Sequence, residues 1–335
     1  MKPLAWALLL TAAAHAPTAS AYGNAGHQQI GAIADLQLRA AARRQVQSLL
    51  GFDLRVAAIW ADCVRDAQPD ASGGLQSRET AAACAAFDSP AQRERMHDYA
   101  RRNWSGCDDP PPKGCHSRYH YTNVAYQHLR YDRAYSGTRD DDLVAATHAA
   151  IAVLRNRAAP PPFDIRDRTE ALLLLAHFVG DLHQPLHVGT VYLDRDGRAF
   201  DPDRDALVAE PQADTRGGNL IHDAISNLSL HAEWDQIARA LSATSPRQLI
   251  GRRSAVPPTS GPIDGWAAQW AGETLRASHS AYAGLSFIAD PAAPGRWIAQ
   301  FPDHAAYWRD KETLQRSEVI KAGTRLAQLL NAIWP

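Results

Sequence analysis

Apolar residues recur at three- and four-residue spacing along much of the chain, which is the pattern of helices with one buried face. This spacing predicts helices over residues 30–50, 143–157, 168–179, 231–241 and 326–333. The alternation typical of strands is scarce, and only residues 188–193 are interpreted as part of a short hairpin. The pattern therefore predicts an all-α fold.

Four long polar stretches, rich in glycine, proline, aspartate and serine, separate these helices and predict loops. They cover residues 68–89, 103–117, 194–217 and 243–265. No internal repeat stands out, and no linker divides the chain cleanly. We therefore expect a single helical domain over residues 22–335, with loops wide enough to shape a substrate cleft.

Residues 1–21 have the pattern of a signal peptide. Lys2 gives a positive start, residues 4–14 form an apolar run, and the segment Ala19-Ser20-Ala21 has the small-x-small pattern that signal peptidase cleaves. A membrane anchor is the alternative, but the apolar run is too short to span a bilayer. We expect cleavage after Ala21 and a secreted or periplasmic, soluble protein with no stable membrane association.

The charge balance limits how the protein can hold a polyanion. The formal net charge is −1, whereas proteins that bind duplexes without sequence specificity usually carry a basic stripe. Any recognition of phosphate must therefore come from a concentrated site.

Four cysteines in an exported chain predict two disulfides. Their spacing contains no CxxC pair, so we do not expect a cysteine zinc site. Among the three possible connectivities, we favour Cys107–Cys115, which closes a proline-rich loop, with Cys63–Cys84 as the second bridge. Free buried cysteines are the alternative.

The segment from His177 to His187 carries the most informative chemistry. His177 and Asp181 are four residues apart after a strongly helical run, so both side chains are expected on the same helix face, where they can bind one metal ion. Pro185 should bend or end this helix and so turn His187 toward a different position.

A second pair, His231 and Asp235, repeats the same spacing. One such pair alone is more often an ordinary contact on a helix surface. Two pairs together with His187 favour a metal site instead. Nitrogen and oxygen ligands without thiolates suit catalytic zinc that keeps one position open to water.

Six motifs occur in one order along the chain: YGNAGH at 22–27, WADCVR at 60–65, YHY at 119–121, HFVGDLHQPLH at 177–187, RGGN at 216–219 and LHAEWD at 230–235. This ordered set resembles the zinc-dependent type I nucleases of fungi, plants and bacteria. Those enzymes cut single-stranded nucleic acid and remove 3′-phosphates, and they share their zinc site with bacterial zinc phospholipase C. The resemblance implies a helical domain of that type with a trinuclear zinc cluster at the base of a cleft.

The resemblance also implies three sets of zinc ligands. They are Asp62, His120, His177 and Asp181 for the first zinc; His187, His231 and Asp235 for the second; and His27, Asp181 and the mature N-terminal residue Tyr22 for the third. Tyr22 would bind through its amino nitrogen and carbonyl oxygen, and Asp181 would bridge two zincs. The family usually starts with tryptophan, so the packing of the Tyr22 ring is expected to differ.

Zinc ions held close together lower the pKa of a shared water and neutralise phosphodiester oxygens, so no side-chain nucleophile is needed. The resemblance assigns catalytic roles to two residues, Asp62 and Arg65. Asp62 acts as a zinc ligand, and Arg65 binds the phosphate and stabilises its charge in the transition state. An ordinary surface arginine is the alternative for Arg65.

Three residues are expected to contact substrate. Tyr121 can stack on a base. Asn123 stands where the fungal enzymes carry an aspartate that bonds the base edge, so base preference should differ or broaden. Asn219 follows two glycines and supports substrate or a ligand carboxylate, with a simple turn as the alternative. His116 and His183 are assigned structural or supporting roles instead.

These residues favour an exported nuclease and 3′-nucleotidase that acts as a monomer, hydrolysing single-stranded DNA and RNA to 5′-phosphorylated products. The first alternative is a phospholipase C acting on phospholipid head groups, alone or as a second activity. Those enzymes carry glutamate at the position of Asp235, which weighs against that alternative. A metal-stabilised binding protein without catalysis is the third hypothesis.

Overall fold

The computed structural model describes residues 22–65, 67–69, 75–77, 82–108, 113–205, 213–251 and 256–335. The proposed signal peptide, residues 1–21, lies outside these ranges. The helices are α1 (Gly23–Gln37), α2 (Ala40–Leu50), α3 (Leu54–Ala57), α4 (Trp60–Arg65), α5 (Pro90–Arg102), α6 (Leu143–Leu154), α7 (Arg168–Asp181), α8 (Pro185–Val188), α9 (Leu230–Asp235), α10 (Arg239–Ala243), α11 (Pro246–Gly251), α12 (Trp266–Tyr282) and α13 (His304–Ile333). Short 3-10 segments cover Ala82–Phe87, Cys115–His120 and Ile263–Gly265.

Helix α7 is the centre of the largest apolar core. The Asp167 side chain caps its first turn by accepting the backbone N–H of Glu170, and every residue from Glu170 to Asp181 is buried. Its leucine-rich sequence is apolar on all sides, as expected for a helix surrounded by others. Helices α1, α2, α3, α4, α6 and α13 pack around it.

The first and last helices, α1 and α13, pack closely against each other. A Cβ on Gly323 of α13 would lie 2.5 Å from the Ile33 side chain and 2.8 Å from the carbonyl oxygen of Ile30, both in α1. Any larger residue at 323 would therefore push α1 away from α13.

The predicted helix over residues 30–50 is wrong in its extent. Helix α1 begins earlier, at Gly23, and the helical conformation is interrupted at Leu38 before α2 begins. The extended backbone at Leu38 buries this side chain in the core, and the N–H of Arg39 is held by Asn331 Oδ1 at 2.8 Å. Tertiary contacts therefore replace a continuous helix.

Other helix predictions are confirmed or corrected in the same way. The predictions over 143–157 and 168–179 correspond to α6 and α7. The prediction over 231–241 is divided between α9 and α10, and residues 326–333 are only the end of α13, which has 30 residues. Helices α5 and α12 have no counterpart among the predicted elements.

Short strands add to a fold that is otherwise mostly helical. They are β1 (Ala67–Pro69), β2 (Leu75–Ser77), β3 (Val124–Ala125), β4 (Gly189–Thr190), β5 (Tyr192–Leu193), β6 (Ala199–Phe200), β7 (Ile221–His222), β8 (Ser286–Ala289) and β9 (Trp297–Gln300). Pairs β1–β2, β5–β6 and β8–β9 are antiparallel, whereas β3–β4 and β7–β9 are parallel. Of residues 188–193, where a hairpin was expected, only β5 belongs to a hairpin, the one it forms with β6. The prediction of an all-α fold did not include these short strands.

Both predicted disulfides are confirmed. Cys63 bonds to Cys84, and Cys107 bonds to Cys115. The first bridge fastens α4 to the 3-10 segment Ala82–Phe87. Within the described ranges, no helix has the length and apolar character needed to cross a membrane.

Candidate metal centre

Helix α7 places His177 and Asp181 on one face, as the spacing predicts. His177 Nε2 lies 3.1 Å from Asp181 Oδ2. His120, at the end of a 3-10 segment, brings its Nδ1 within 3.0 Å of the same carboxylate oxygen and 3.1 Å of His177 Nε2. Asp62 of α4 approaches from the other side, with its Oδ1 3.8 Å from His177 Nε2. The fold thus brings together the four residues expected around one metal.

His27 of α1 joins this group through a ring stack. Its ring lies 3.8 Å from that of His177, with 14° between the planes, and its Nε2 is 3.3 Å from Asp181 Oδ1. Gly180 makes this approach possible, because a Cβ there would lie 2.6 Å from His27 Nδ1. Asp181 therefore faces His27 with one oxygen and His177 and His120 with the other.

Tyr22 directly precedes α1 and is fully buried. Its phenol donates a hydrogen bond to the carbonyl of His183 at 2.8 Å, and its own carbonyl accepts the N–H of Gly26 at 3.1 Å. The buried tyrosine ring is thus held by a specific polar contact.

A neighbouring group contains His187, His231 and Asp235. His187 Nε2 and His231 Nε2 each lie 3.4 Å from an oxygen of Asp235, and the two imidazoles stack 4.8 Å apart. The chain does turn between α7 and His187, but α7 ends at Asp181, and Pro185 begins α8 rather than ending α7. His187 Nδ1 lies 3.7 Å from Asp181 Oδ1, so the two groups are adjacent.

Backbone carbonyls orient three of these imidazoles. The Nδ1 atoms of His177, His187 and His231 lie 2.7, 2.6 and 2.8 Å from the carbonyl oxygens of Ala58, His120 and Gly217, respectively. Each Nδ1–H donates to its carbonyl, which leaves Nε2 as the ring nitrogen with a lone pair that could bind a metal. His120 differs, because its Nδ1 is the atom that faces Asp181.

The nitrogen and oxygen lone pairs that face one another in these two groups are better suited to binding a metal than to hydrogen bonding with each other. The buried atoms in these groups that have no hydrogen-bond partner among the described residues include His27 Nε2, Asp181 Oδ1, His187 Nε2 and Asp235 Oδ2. Such atoms cost roughly 1–3 kcal/mol each when left unpaired. The ligand atoms of each group lie within 4.8 Å of one another. Imidazole and carboxylate donors without thiolate suit divalent ions such as zinc.

Charge is distributed unevenly over the groups. Burial works against ionisation of Asp181, but His177 and His187 outweigh it and hold the pKa of Asp181 well below its usual range. Burial lowers the pKa of His187, but Asp181 and Asp235 outweigh it and raise this pKa to about 9. Burial also lowers the pKa of His120 to about 3. Protons and metal ions therefore compete for the same ligand atoms.

Arg65 supplies positive charge beside both groups. It follows Asp62 by one helical turn in α4, as expected, and its Nη2 lies 2.9 Å from Asp62 Oδ1. Burial is the main reason that the pKa values of His120 and His231 are low, and the charge of Arg65 lowers both further. Arg65 is thus near enough to both groups to meet an anion bound between them.

The sequence model described as S1/P1 nuclease matches residues 22–335. The chain belongs to the S1/P1 nuclease family. Endonuclease 2 of Arabidopsis thaliana is 27% identical over 235 residues, an alignment that covers 68% of this chain. The chain spans 62% of the length of that curated relative. S1/P1 nucleases are metal-dependent, which agrees with the ligand groups described above.

The side chains expected to bind substrate lie in different settings. Tyr121 has extended backbone directly after the 3-10 segment that carries His120. The Asn123 amide donates to Asp214 Oδ2 at 2.7 Å, so part of its hydrogen-bonding capacity is already used. Asn219 is exposed, and its amide donates to the carbonyl of Arg216 at 2.8 Å. That contact matches the turn alternative for Asn219.

Two residues that contact the candidate ligands were missed in the analysis of the sequence. Gln184 Nε2 donates to Asp235 Oδ1 at 2.6 Å, while Gln184 Oε1 caps α8. Gly217, at φ +58°, turns its carbonyl toward His231. A glutamine directly before Pro185 is a readable helix cap, but its contact with Asp235, 51 positions later, is tertiary.

His116 and His183 lie outside the metal groups. His183 sits between the carbonyl of Val179 and Arg325 Nη1, at 2.7 and 3.0 Å. His116 packs against Tyr99 and Trp104. Both settings agree with structural roles.

Proposed function

We propose that this protein is an exported, zinc-dependent nuclease that hydrolyses single-stranded DNA and RNA to 5′-phosphorylated products and also removes 3′-phosphates from nucleotides. One observation carries the proposal: two adjacent buried groups of histidines and aspartates in an S1/P1 family member leave several metal-ligand atoms without hydrogen-bond partners among the described residues.

We assign the ligands to three zinc ions. They are Asp62, His120, His177 and Asp181 for the first; His187, His231 and Asp235 for the second; and His27, Asp181 and Tyr22 for the third. The contact of Asp181 with His27 through one oxygen and with His177 through the other supports its bridging role. When bound, such ions make water nucleophilic near neutral pH and neutralise charge on the phosphate and the leaving 3′-oxygen.

We expect two side chains, Arg65 and Asp62, to act beside the reacting phosphate. Arg65 presents donors that can hold phosphate oxygens, and their charge is favourable as the transition state becomes more anionic. Asp62 holds this guanidinium in place, with 2.9 Å between Asp62 Oδ1 and Arg65 Nη2. Burial works against ionisation of Asp62, but Arg65 and nearby histidines keep its pKa below the usual range, so it stays ionised.

Base recognition would come from the segment after His120. The Tyr121 ring offers a face on which any base can stack. Because Asp214 accepts one N–H of the Asn123 side-chain amide, Asn123 Oδ1 and the second amide N–H remain for the edge of a base. Asp214 is itself held by Thr190 Oγ1 at 2.9 Å and by the N–H of Arg216 at 2.7 Å. We expect tolerance of several bases.

Export agrees with three features of the chain. The two disulfides are typical of proteins that fold in an oxidising compartment. The family match begins at residue 22, directly after the proposed cleavage site at Ala21. Tyr22 is fully buried beside the metal groups, where a freed amino group can serve as a ligand. We propose one nuclease domain over residues 22–335 in a monomeric protein.

A substrate panel tests the function. Purified mature protein would be incubated with single-stranded DNA, RNA, 3′-AMP and phosphatidylcholine vesicles, before and after chelation and after zinc is restored. We expect turnover of the first three substrates, loss on chelation and recovery with zinc. Turnover of the lipid with intact nucleic acid would overturn the proposal in favour of a phospholipase C.

A pair of histidine variants tests the metal assignment in the same assay. His177→Ala should lower activity by about 100-fold or more, because it removes a metal ligand. His222→Ala, a change outside these ligand groups, should leave activity near that of the unaltered protein. Full activity in the His177→Ala protein would refute the assignment of His177 as a metal ligand. Binding of nucleic acid without any hydrolysis by the unaltered protein would refute the proposed enzymatic function.

A further inference from the structure

A separate group of possible metal ligands lies beside the β5–β6 hairpin. His128, Asp201 and Asp203 each offer one ligand atom, and these atoms lie within 4.8 Å of one another. His128 Nε2 is 2.8 Å from Asp203 Oδ2 and 3.3 Å from Asp201 Oδ1. None of the three belongs to the ligand sets proposed above.

Strand pairing fixes both halves of this group. His128 closely follows β3, and its N–H donates to the carbonyl of Ala125 at 3.0 Å. Asp201 directly follows β6, and its Oδ1 accepts the N–H of Asp203 at 3.0 Å. Strand β5, which pairs with β6, is joined to the region of β3 because the Tyr192 hydroxyl donates to the carbonyl of Asn123 at 3.0 Å. The three side chains are therefore presented by ordered segments.

Neighbouring residues orient the ligands. The Tyr135 ring stacks on the His128 ring at 3.7 Å, with 12° between the planes. Ser136 donates its backbone N–H and its hydroxyl to Asp203 Oδ1, at 2.9 and 2.7 Å. These bonds leave Asp203 Oδ2 directed at His128. Supporting contacts of this kind commonly surround the ligands of a bound metal.

The charges in this group are poorly balanced by the protein. His128 is 2% exposed and Asp201 is 4% exposed. Asp201 Oδ2 has no hydrogen-bond partner among the described residues, and Arg204 Nε, 3.3 Å away, is outside hydrogen-bond geometry on a side chain that is 65% exposed. His128 Nδ1 also has no hydrogen-bond partner there. A buried carboxylate oxygen left in this state is costly.

We propose that His128, Asp201 and Asp203 bind one divalent transition-metal cation, such as zinc, at a structural site separate from the nuclease centre. One imidazole and two carboxylates are suitable ligands for this class of ion. The exposed position of Asp203 leaves room for water to complete the coordination. The ion would fasten the segment after β3 to the β5–β6 hairpin. This site does not depend on the proposed nuclease activity.

Metal counting on the mature protein tests the proposal. Elemental analysis after dialysis against dilute zinc would compare the unaltered protein with Asp203→Asn and with the double variant Asp201→Asn, Asp203→Asn. We expect each variant to hold one metal ion fewer per chain. Asp196→Asn is the matched control, because Asp196 lies nearby, in the turn of the β5–β6 hairpin, with a side chain that is 67% exposed. Equal metal content in correctly folded variants and the unaltered protein would overturn the proposal.

A direct measurement avoids any effect of the substitutions on folding. Crystals of the unaltered protein grown with zinc would be measured at the zinc absorption edge. An anomalous peak about 2.0–2.1 Å from His128 Nε2 and near both carboxylates would support the site. Peaks at His231 with none at His128 would refute it and leave the nuclease centre unaffected.

Discussion

Gln184 orients Asp235, a proposed metal ligand, without itself being one. Its amide fixes Asp235 Oδ1, so Asp235 Oδ2 is the oxygen left for a cation. The same side chain caps α8, the helix that carries His187. One glutamine therefore sets the positions of two residues in the second ligand group.

Replacing Gln184 with alanine should weaken zinc binding by about 10- to 100-fold, because supporting partners of metal ligands have effects of that size. Chelator competition would measure the affinity, and kcat/KM on single-stranded DNA should fall with it at limiting zinc. Gln248→Ala, on the exposed side of α11, is the control. Unchanged zinc affinity in the Gln184→Ala protein would show that Asp235 needs no such support.

His116 should make the protein less stable in acid. Burial lowers the pKa of His116 to about 4, whereas the unfolded chain titrates this group near 6.5. Between these values the unfolded state binds a proton that the folded state does not, so the free energy of unfolding falls as pH drops through this window. The contribution from this residue is at most about 3 kcal/mol.

The prediction is checked by denaturant unfolding at several pH values from 7 to 4. The unaltered protein should lose up to about 3 kcal/mol more than a His116→Gln variant over this range. Loss of metal in acid affects both proteins alike and cancels in the comparison. If the free energy of unfolding falls equally with pH in the two proteins, His116 is not held neutral by burial.

At the scale of whole elements, local pattern predicts some helices well and others poorly. Helix α7 is apolar on every side, so its sequence alone indicates it, and with it the spacing of His177 and Asp181. Helices α12 and α13 mix polar residues with their buried ones, which dilutes the periodic signal. The break at Leu38 depends on Asn331, which no local pattern contains.

The candidate site shows the same division. Motif order brought its imidazoles and carboxylates to attention, and the fold places most of them together. The partners of these ligands were not predicted, since Gln184 and the carbonyl of Gly217 reach them only through tertiary contact. For Asn219, the hydrogen bond to Arg216 matches the turn interpretation rather than direct substrate contact.

The turn before α9 should tolerate no side chain at Gly217. This residue has φ +58°, and a Cβ would lie 2.1 Å from the carbonyl oxygen of Leu186 and 3.3 Å from His231 Nδ1. Gly217→Ala should therefore lower the free energy of unfolding by about 1–3 kcal/mol and reduce zinc content. Calorimetry and elemental analysis would measure both.

Gly251→Ala is the control for that variant, since a Cβ at Gly251 meets nothing within 4 Å in the described residues. It should match the unaltered protein or be slightly more stable, because alanine favours helix. Equal behaviour of the two alanine variants would contradict the role given to Gly217.

At the scale of the whole molecule, the start of the mature chain is part of the proposed centre. A protein with two residues added before Tyr22 should fold but lose one metal ion and at least about 10-fold in activity, because Tyr22 would then have no free amino group to bind the proposed third ion. Elemental analysis and the DNA assay would measure the effect. Adding the same residues after Pro335, which is exposed, is the control. Full metal content with the N-terminal addition would show that Tyr22 is not a ligand.

The packing of α1 on α13 has a consequence for the order of synthesis. Helix α1 carries His27 and is translated long before α13, yet it rests on Gly323 and its neighbours in that helix. A ribosome that stops before His304 leaves α1 without this support. We expect such unfinished copies to lack the proposed nuclease activity, so that activity would appear only once α13 has been made.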